Sequence, residues 1–243
     1  MANILWGNYA RQYDQIVCRN KVYLDLLDRL AGGDGLLAPP PLGARALDLG
    51  GGTGALALKL ATADPTAHVT LVDNDPAMLE LCRGKCAAVL ADSGRAPGVR
   101  IVEADLTGAA WLRAVEGEPW DLAFMVNVLY TLPEPGKLLR SVSRLLRPGG
   151  ELRLSEPRTD THLDVLLATL KANLDVADDT GREALWADFE AVQRFNSRTL
   201  DPHLRRWTTG QMVDLLRDSG FRLIVYASET VYAEQSMAIS ART

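Results

Sequence analysis

Ala46-Leu47-Asp48-Leu49-Gly50-Gly51-Gly52-Thr53-Gly54 is the stretch that decides the fold. Its apolar first half runs into a glycine cluster, which predicts a short buried strand followed by a turn. Residues 55–61 are strong helix formers without a breaker and predict a helix. A strand that turns through glycines into a helix presents free backbone N–H groups to a ligand. Because a buried carboxylate is costly without a partner, we expect Asp48 to face a ligand that carries positive charge.

Asp48–Gly54 resembles the acidic-x-Gly-x-Gly-x-Gly signature of class I S-adenosylmethionine (SAM)-dependent methyltransferases. The resemblance implies SAM as the cofactor, whose sulfonium and ammonium groups would suit Asp48. The cofactor contacts that it implies in this stretch are Asp48, Gly50, Gly51, Gly52 and Gly54. A nicotinamide dehydrogenase is the alternative, because Gly50-x-Gly52-x-x-Ala55 also satisfies the looser Gly-x-Gly-x-x-Gly/Ala pattern. A glycine turn without a ligand is the third interpretation.

The composition narrows the class of protein. The 243 residues, 47% of them hydrophobic, predict one domain with an ample core. Acidic residues outnumber basic ones by 31 to 26 and no dense Lys/Arg tract is present, so we expect no nucleic-acid partner. No apolar run is long enough for a membrane span. We also predict no signal peptide, because no basic segment followed by an apolar one is present.

Three cysteines, Cys18, Cys82 and Cys86, form no metal-ligand pattern. Cys82 and Cys86 lie one helical turn apart, and no histidine or further cysteine accompanies them at ligand spacing. We therefore interpret them as small apolar side chains on one helix face and predict no metal site. An odd set of cysteines also indicates a reducing, cytoplasmic compartment.

A second predicted strand, 68–73, ends in Asp73, which lies 19 residues beyond Gly54. An acid at this position typically accepts both ribose hydroxyls of a bound nucleoside, since two vicinal O–H donors match two carboxylate oxygens. Dehydrogenases share this feature, so Asp73 predicts an adenosine ligand without choosing between the two enzyme classes. Asn74, which follows it, belongs to the same predicted cofactor site.

The third and fourth predicted strands also end in polar residues. After the strand 99–104, the resemblance implies that Asp105 accepts from the adenine amino group and that the Leu106 N–H meets a ring nitrogen. Alternatively, Asp105 caps a helix over 107–115. The fourth strand begins at Trp120, and the resemblance places its end, with Asn127 and Tyr130, beside the transferred methyl group. We predict Asn127 as a cofactor contact and Tyr130 as a substrate contact.

Helices are predicted on both sides of this core. Residues 1–35 contain two, and the string Tyr9-Ala10-Arg11-Gln12-Tyr13-Asp14 resembles the segment ahead of the core in many small-molecule methyltransferases, where a tyrosine often lies over the cofactor. Tyr13 is therefore a predicted cofactor contact and Tyr9 a predicted substrate contact, against the alternative of an ordinary amphipathic helix. Residues 158–205 contain two further helices, which we interpret as a lid over the site rather than a layer on the flank of the sheet.

Candidate catalytic residues are few. His162 and His203 lie at the two ends of the predicted lid and are the candidate general bases, although exposed polar histidines would give the same pattern. Glu156, at the end of the fifth strand, is a candidate for orienting the substrate.

The order of elements predicts an α/β fold. Five strands alternate with helices between 44 and 156, which describes a doubly wound parallel sheet. Segments 221–226 and 231–240 predict a closing hairpin, and the resemblance implies a seven-stranded, mostly parallel sheet with an antiparallel last strand. The predicted single domain, 1–243, thus has a core over about 44–157 and 206–243, and a helical lid over 1–35 and 158–205.

The predicted function is SAM-dependent transfer of a methyl group to an O or N atom of a small, partly apolar or aromatic molecule. In such a reaction the cofactor carries the activation, and the protein holds the reacting atoms in line. The alternatives are a methyltransferase that acts on a protein or tRNA, and a non-catalytic SAM-binding partner protein. The sequence leaves the oligomeric state open.

Overall fold

A single seven-stranded sheet organises the part of the chain that the computed structural model describes, residues 9–117, 119–173, 179–199 and 205–243. Its strand order is β3-β2-β1-β4-β5-β7-β6. The strands are β1 (Arg45–Leu49), β2 (His68–Asp73), β3 (Val99–Glu103), β4 (Trp120–Val126), β5 (Leu146–Pro157), β6 (Leu223–Val231) and β7 (Ser236–Arg242).

Helices cover both faces of the sheet. They are α1 (Ala10–Ile16), α2 (Lys21–Leu30), α3 (Ala55–Ala63), α4 (Pro76–Ser93), α5 (Ala110–Val115), α6 (Pro135–Leu145), α7 (Leu163–Ala172), α8 (Asp179–Thr199) and α9 (Thr209–Asp218). Alternate strand residues enter two separate cores. Ala46 packs with α1–α4, α7 and α8, whereas Leu47 and Leu49 pack with α5, α6 and α9. Burial on both faces explains why the central strands read as nearly continuous apolar runs.

The strand order reverses beside β1, which pairs in parallel with β2 on one side and with β4 on the other. In a doubly wound sheet, such a reversal opens a crevice at the carboxyl ends of the strands. The glycine-rich segment after β1 and the acidic ends of the neighbouring strands therefore meet at one edge of the sheet.

The last strand, β7, lies antiparallel between β5 and β6. This arrangement confirms the predicted fold class. The hairpin boundaries differ from the prediction, because β6 continues to Val231 and the turn occupies Tyr232–Gln235. Tyr232, Ala233 and Glu234 all have positive φ without a glycine among them, so the usual sequence signal for such a turn is missing.

Local hydrogen bonds explain where α9 and α4 begin, and why α5 begins later than predicted. Thr208 and Gln211 form the capping box expected for α9, and Asp75 caps α4 with Pro76 in its first turn. The predicted helix over 107–115 begins only at Ala110, since Asp105 accepts from Thr107 in a separate turn.

The helices outside the core contact one another across the predicted lid segments. The Tyr9 ring, at the start of α1, stacks on Phe195 of α8 with centroids 4.0 Å apart. Asn20, which caps α2, donates to the carbonyl of Leu170 in α7 at 2.8 Å. Tertiary contacts of this kind are what a seven-residue helix such as α1 needs, because it is too short to be stable alone.

None of the helices in these described ranges is long and apolar enough to cross a bilayer.

Candidate functional site

A cavity of about 610 Å³ opens at the carboxyl edge of β1–β4, a volume typical of small-molecule sites. Its walls come from the strand ends, from α1 and from the β6–β7 turn. The lining residues are Tyr9, Tyr13, Val17, Gly50, Gly52, Asp73, Asn74, Asp75, Pro76, Met78, Ala104, Asp105, Leu106, Thr107, Val126, Asn127, Val128, Tyr130, Thr131, Leu132, Pro133, Pro157, Thr161, Leu166, Asn196, Tyr232, Gln235 and Ser236.

Asp73 is held in place by two backbone groups. One carboxylate oxygen accepts from the Gly52 N–H at 2.9 Å, and the other accepts from the Asp75 N–H at 2.9 Å. Each oxygen keeps a second acceptor position, so the side chain can still bind two donors of a ligand. Burial raises the pKa of Asp73, although these backbone bonds oppose the shift. The geometry therefore presents a fixed pair of acceptors at the tip of β2.

The four predicted glycines divide into two pairs. Gly50 and Gly52 line the cavity, and Gly52 has φ of +53°, a conformation that glycine adopts readily. Gly51 and Gly54 do not line it. A Cβ on Gly51 would stand 2.7 Å from the Leu71 side chain, and one on Gly54 would clash with the sulfur of Cys82. The loop packs closely on β2 and α4 at those two positions, where a Cβ would not fit, and their contact with the cofactor stays a prediction.

Asp48 is buried behind the glycine loop. It is 2% exposed and absent from the cavity wall, and its carboxylate accepts from the Ala57 N–H in the first turn of α3 at 3.1 Å. Burial raises its pKa to about 7, the Ala57 bond lowers it, and the nearby Asp73 charge raises it further. The carboxylate thus lies at the positive end of α3, behind the glycine loop, and its predicted place against a positively charged ligand stays a prediction.

The residues predicted beside an adenine lie in the cavity wall. Asp105 and Leu106 line it after β3, and Asn74 lines it after β2. The Asp105 carboxylate accepts from the N–H and hydroxyl of Thr107, both at 2.7 Å. This turn fixes Asp105 at the rim, where the side chain is exposed to a ligand.

The segment after β4 combines a strained residue with a buried anion. Asn127 lines the cavity with φ of +58°, a left-handed conformation that asparagine tolerates better than most residues. Glu156 is fully buried and accepts from the N–H groups of Val128 and Leu129, at 2.8 and 2.7 Å, and more weakly from Tyr130. Its carboxylate thus holds the segment that follows β4, and its predicted role in orienting a substrate stays a prediction.

Tyrosines form one wall of the cavity. Tyr9, Tyr13, Tyr130 and Tyr232 line it, and the ring centroids of Tyr9 and Tyr13 lie 5.6 Å apart. Burial raises the pKa of all four well above the usual range of a phenol. The hydroxyls therefore stay protonated at neutral pH and can donate hydrogen bonds, while the rings offer flat apolar surface.

Comparison with known proteins identifies the family. A family model described as a methyltransferase domain matches residues 42–201, about two thirds of the chain. The chain belongs to the methyltransferase-domain family. Membership confirms the prediction of a class I SAM-dependent methyltransferase and disposes of the dehydrogenase alternative.

Individual relatives of this methyltransferase support the same conclusion. Demethylmenaquinone methyltransferase of Chlamydia pneumoniae is 33% identical over 123 residues, which cover 48% of this chain and 46% of the relative. Trans-aconitate 2-methyltransferase of Azoarcus sp. (strain BH72) is 36% identical over 139 residues, covering 56% of this chain and 49% of the relative. The chain thus spans about half the length of these curated relatives.

A solved structure matches over nearly the whole chain. A SAM-dependent methyltransferase from Aquifex aeolicus superposes with a TM-score of 0.61 and covers 97% of each chain at 16% identity. At this identity the match shows the fold alone.

His162, one of the two candidate bases, is not in the cavity wall. His162 is exposed beside a shallow depression with Asp164 and Gln193, and its backbone N–H donates to the Gln235 side chain at 2.6 Å. The structure thus places His162 outside the cavity wall, and its role as a catalytic base stays a prediction. His203 lies outside the described residues.

Sequence reasoning missed the contribution of the β6–β7 turn. Tyr232, Gln235 and Ser236 line the cavity because β7 runs back beside β5 and delivers the turn to the carboxyl edge of the sheet. The Gln235 carbonyl also accepts from the Thr161 hydroxyl at 2.7 Å, which ties the turn to the start of α7. The predicted hairpin was the available signal, but its turn was placed too early in the chain.

Proposed function

We propose that this methyltransferase binds SAM in the cavity and transfers its methyl group to an O or N atom of a small, partly apolar or aromatic molecule. The observation that carries the proposal is the Asp73 carboxylate, fixed by the Gly52 and Asp75 N–H groups and facing the cavity with acceptor positions to spare. This is the geometry that two ribose hydroxyls require.

The residues in the wall fit an adenosyl cofactor along its length. Asp73 would hold the ribose, and Asp105 with the backbone of Leu106 would hold the adenine. Gly50 and Gly52 border the cavity: a Cβ on Gly50 would stand 2.6 Å from the Val128 side chain, and one on Gly52 would meet only the Met78 sulfur, at 3.9 Å. Asn127 and Tyr13 complete the predicted cofactor contacts.

The methyl donor supplies the chemistry when it is bound, because the sulfonium is already an activated leaving group. The protein contributes position and a dry site. The tyrosine wall, Tyr9, Tyr130 and Tyr232, would stack on or donate hydrogen bonds to a flat acceptor molecule. We propose that α1, α2, α7 and α8 together cover the site as a lid, an arrangement that the Tyr9–Phe195 stack supports.

The names of the relatives support a small-molecule acceptor. One relative acts on demethylmenaquinone and another on trans-aconitate, which are small molecules of different chemistry. The cavity volume is compatible with a cofactor and a small acceptor.

Calorimetric titration with SAM and with S-adenosylhomocysteine (SAH), its demethylated form, tests the proposal. We expect both compounds to bind the wild type. Asp73→Asn should weaken SAH binding by about a hundredfold, because the amide is uncharged and its NH2 group, in place of one carboxylate oxygen, would face a backbone N–H donor. Glu103→Gln is the matched control, since Glu103 pairs with Asp73 in the sheet register but lies outside the cavity wall.

Unchanged SAH affinity in Asp73→Asn, or failure of the wild type to bind either compound, would contradict the proposal. Methyl transfer itself is then measured with labelled SAM and a panel of phenols, quinols and amines, with the Asp73 variant as the inactive reference.

A further inference from the structure

The short helix α1 is tied to the glycine loop by a polar network that the cofactor site does not use directly. Asp14, on α1, is 7% exposed and its carboxylate accepts from the Lys85 ammonium of α4 at 2.5 Å. Lys85 donates a second bond, at 3.0 Å, to the hydroxyl of Thr53. Three elements that are distant in sequence thus meet at one ammonium group.

Thr53 completes the network on the side of the loop. Its hydroxyl is buried, accepts from Lys85 and lies 3.5 Å from the sulfur of Cys18, which follows α1. Since the oxygen accepts from Lys85, its own hydrogen is available to the sulfur. Thr53 therefore links the loop to α1 by two routes, one through Lys85 and one through Cys18.

Both ends of this network adjoin residues of the cavity wall. Thr53 follows Gly52, whose N–H donates to Asp73, and Asp14 follows Tyr13. Tyr9 and Tyr13 are the wall that α1 contributes. The helix has seven residues and no side-chain cap at its start, so its position depends on contacts with the rest of the protein.

We propose that Asp14 and Lys85 are positioning residues that hold α1 against the glycine loop, so that a cofactor in the cavity meets a closed tyrosine wall. The proposal rests on the proposed function, because SAM is the ligand concerned. Binding is reciprocal: a cofactor that contacts both the loop and α1 stabilises α1 as much as a fixed α1 strengthens cofactor binding.

The partial burial of the pair explains why it can be effective. The side chains of Asp14 and Lys85 are 10% and 30% exposed, whereas those of the pair Lys21–Asp25 on α2 are 72% and 58% exposed. Removing one partner of a buried pair leaves a desolvated charge, while exposed pairs contribute little. Lys21→Met is therefore a matched control for Lys85→Met.

SAH titration of Asp14→Asn, Lys85→Met and the double variant tests the inference. We expect each single variant to raise the Kd for SAH about tenfold. The double variant should bind SAH no more weakly than the weaker-binding single variant, since every one of these variants removes the same Asp14–Lys85 interaction. Lys85→Arg keeps the charge and should recover most of the affinity, and Lys21→Met should bind like the wild type.

Hydrogen exchange separates positioning from a merely structural role. In the wild type, SAH should slow exchange of the α1 amides, and in Lys85→Met this protection should be lost. A structural ion pair alone would lower Tm but leave both the SAH affinity and the protection of α1 unchanged. Should Lys85→Met fail to fold, Thr53→Val removes the link to the loop while the ion pair stays, and the same loss of affinity is expected.

SAH affinities within about twofold of wild type in Asp14→Asn and Thr53→Val, with α1 still protected, would overturn the inference. A wild type that binds no SAH would overturn the proposed function instead, and this inference with it.

Discussion

The carboxylates of Asp48, Asp73 and Glu156 have separate roles although all three belong to strands of the same sheet. Asp73 faces the cavity, Asp48 accepts from α3 behind the loop, and Glu156 holds the segment after β4. Burial raises the pKa of both Asp48 and Glu156 to about 7. Near pH 5 to 7 these two carboxyl groups still hold their protons in the folded protein, whereas in the unfolded chain they have lost them. The folded protein therefore becomes less stable relative to the unfolded chain as the pH rises through this range.

Asp48→Asn should remove part of this pH dependence. The folded pKa is raised, so between pH 5 and 7 the native state binds more protons than the unfolded state and stability falls with rising pH. Relative to the wild type, the variant should gain about 2 kcal/mol of unfolding free energy over that range, at 1.36 kcal/mol per pH unit, and nothing further above it. Urea unfolding at several pH values measures the difference in slope.

Asp64→Asn is the control for that measurement. Asp64 is half-buried, and hydrogen bonds from Thr66 and Gly43 lower its pKa. Its stabilising effect is present above the unfolded pKa and is lost only as pH falls below it, so the variant should keep the wild-type slope between pH 5 and 7. Parallel curves for Asp48→Asn and wild type would show that Asp48 is already ionised throughout.

Single residues were predictable where chain position alone fixes their place. Asp73 ends β2 and Asp105 follows β3. Because the carboxyl ends of parallel strands meet at one edge of the sheet, assigning these strands was enough to place both residues at the cavity. Asp48 and Glu156 also lie in or at the end of strands, but their partners are backbone N–H groups distant in sequence or in a neighbouring turn. A strand pattern does not reveal such partners.

At the scale of elements, the β6–β7 turn is the most strained part of the described backbone. Tyr232, Ala233 and Glu234 have φ of 51°, 57° and 60°, and the Gln235 N–H closes the turn on the Tyr232 carbonyl at 3.1 Å. Left-handed conformations cost non-glycine residues about 1–2 kcal/mol each. Strain that persists beside a cavity is consistent with a functional role for Tyr232.

Glu234→Gly should stabilise the protein by about 1 kcal/mol, because glycine adopts positive φ without the steric cost. Glu234 is exposed and lies outside the cavity wall, so SAH affinity should stay at the wild-type value. Glu234→Ala is the matched control: it removes the same charge but keeps Cβ, and should give no gain. Thermal unfolding measures both variants, and equal Tm values for them would argue that the carboxylate rather than the backbone matters.

Elements with strong local signals were predicted well. The sequence carries clear signals for three helices, namely the capping box of Thr208 and Gln211 at α9, the proline at the start of α4 and the apolar stripe of α6. The late start of α5 and the displaced turn after Val231 were not predicted, since tertiary contacts override weak local preferences there.

At the scale of the whole molecule, a ligand that binds only the folded protein must raise its stability. SAH at a hundred times its Kd should add about 2.7 kcal/mol and raise Tm by about 5–10 °C for a chain of this size. NAD at the same concentration should leave Tm unchanged, because the family is that of methyltransferases. A larger shift with NAD than with SAH would contradict the assignment of the cofactor.

The global topology followed from alternation of strands and helices, together with the resemblance of the glycine loop to one family. Buried parallel strands such as β1 and β4 are short apolar runs, and the right-handed crossover rule leaves few ways to order them. The tyrosine wall could not be assembled in the same way, since Tyr13, Tyr130 and Tyr232 come from three distant segments that meet only in the folded protein.

The insertion of Ser236–Arg242 between two earlier strands has a consequence for biosynthesis. Ribosomes release the chain from its amino end, so β5 and β6 emerge before β7, the strand that lies between them. A nascent chain stalled before Ser236 would expose the unpaired edge of β5. It would also lack β7, the strand that follows Gln235 and pairs with β5. Cofactor capture should therefore begin only after Ser236–Arg242 has been synthesised and has paired with both strands.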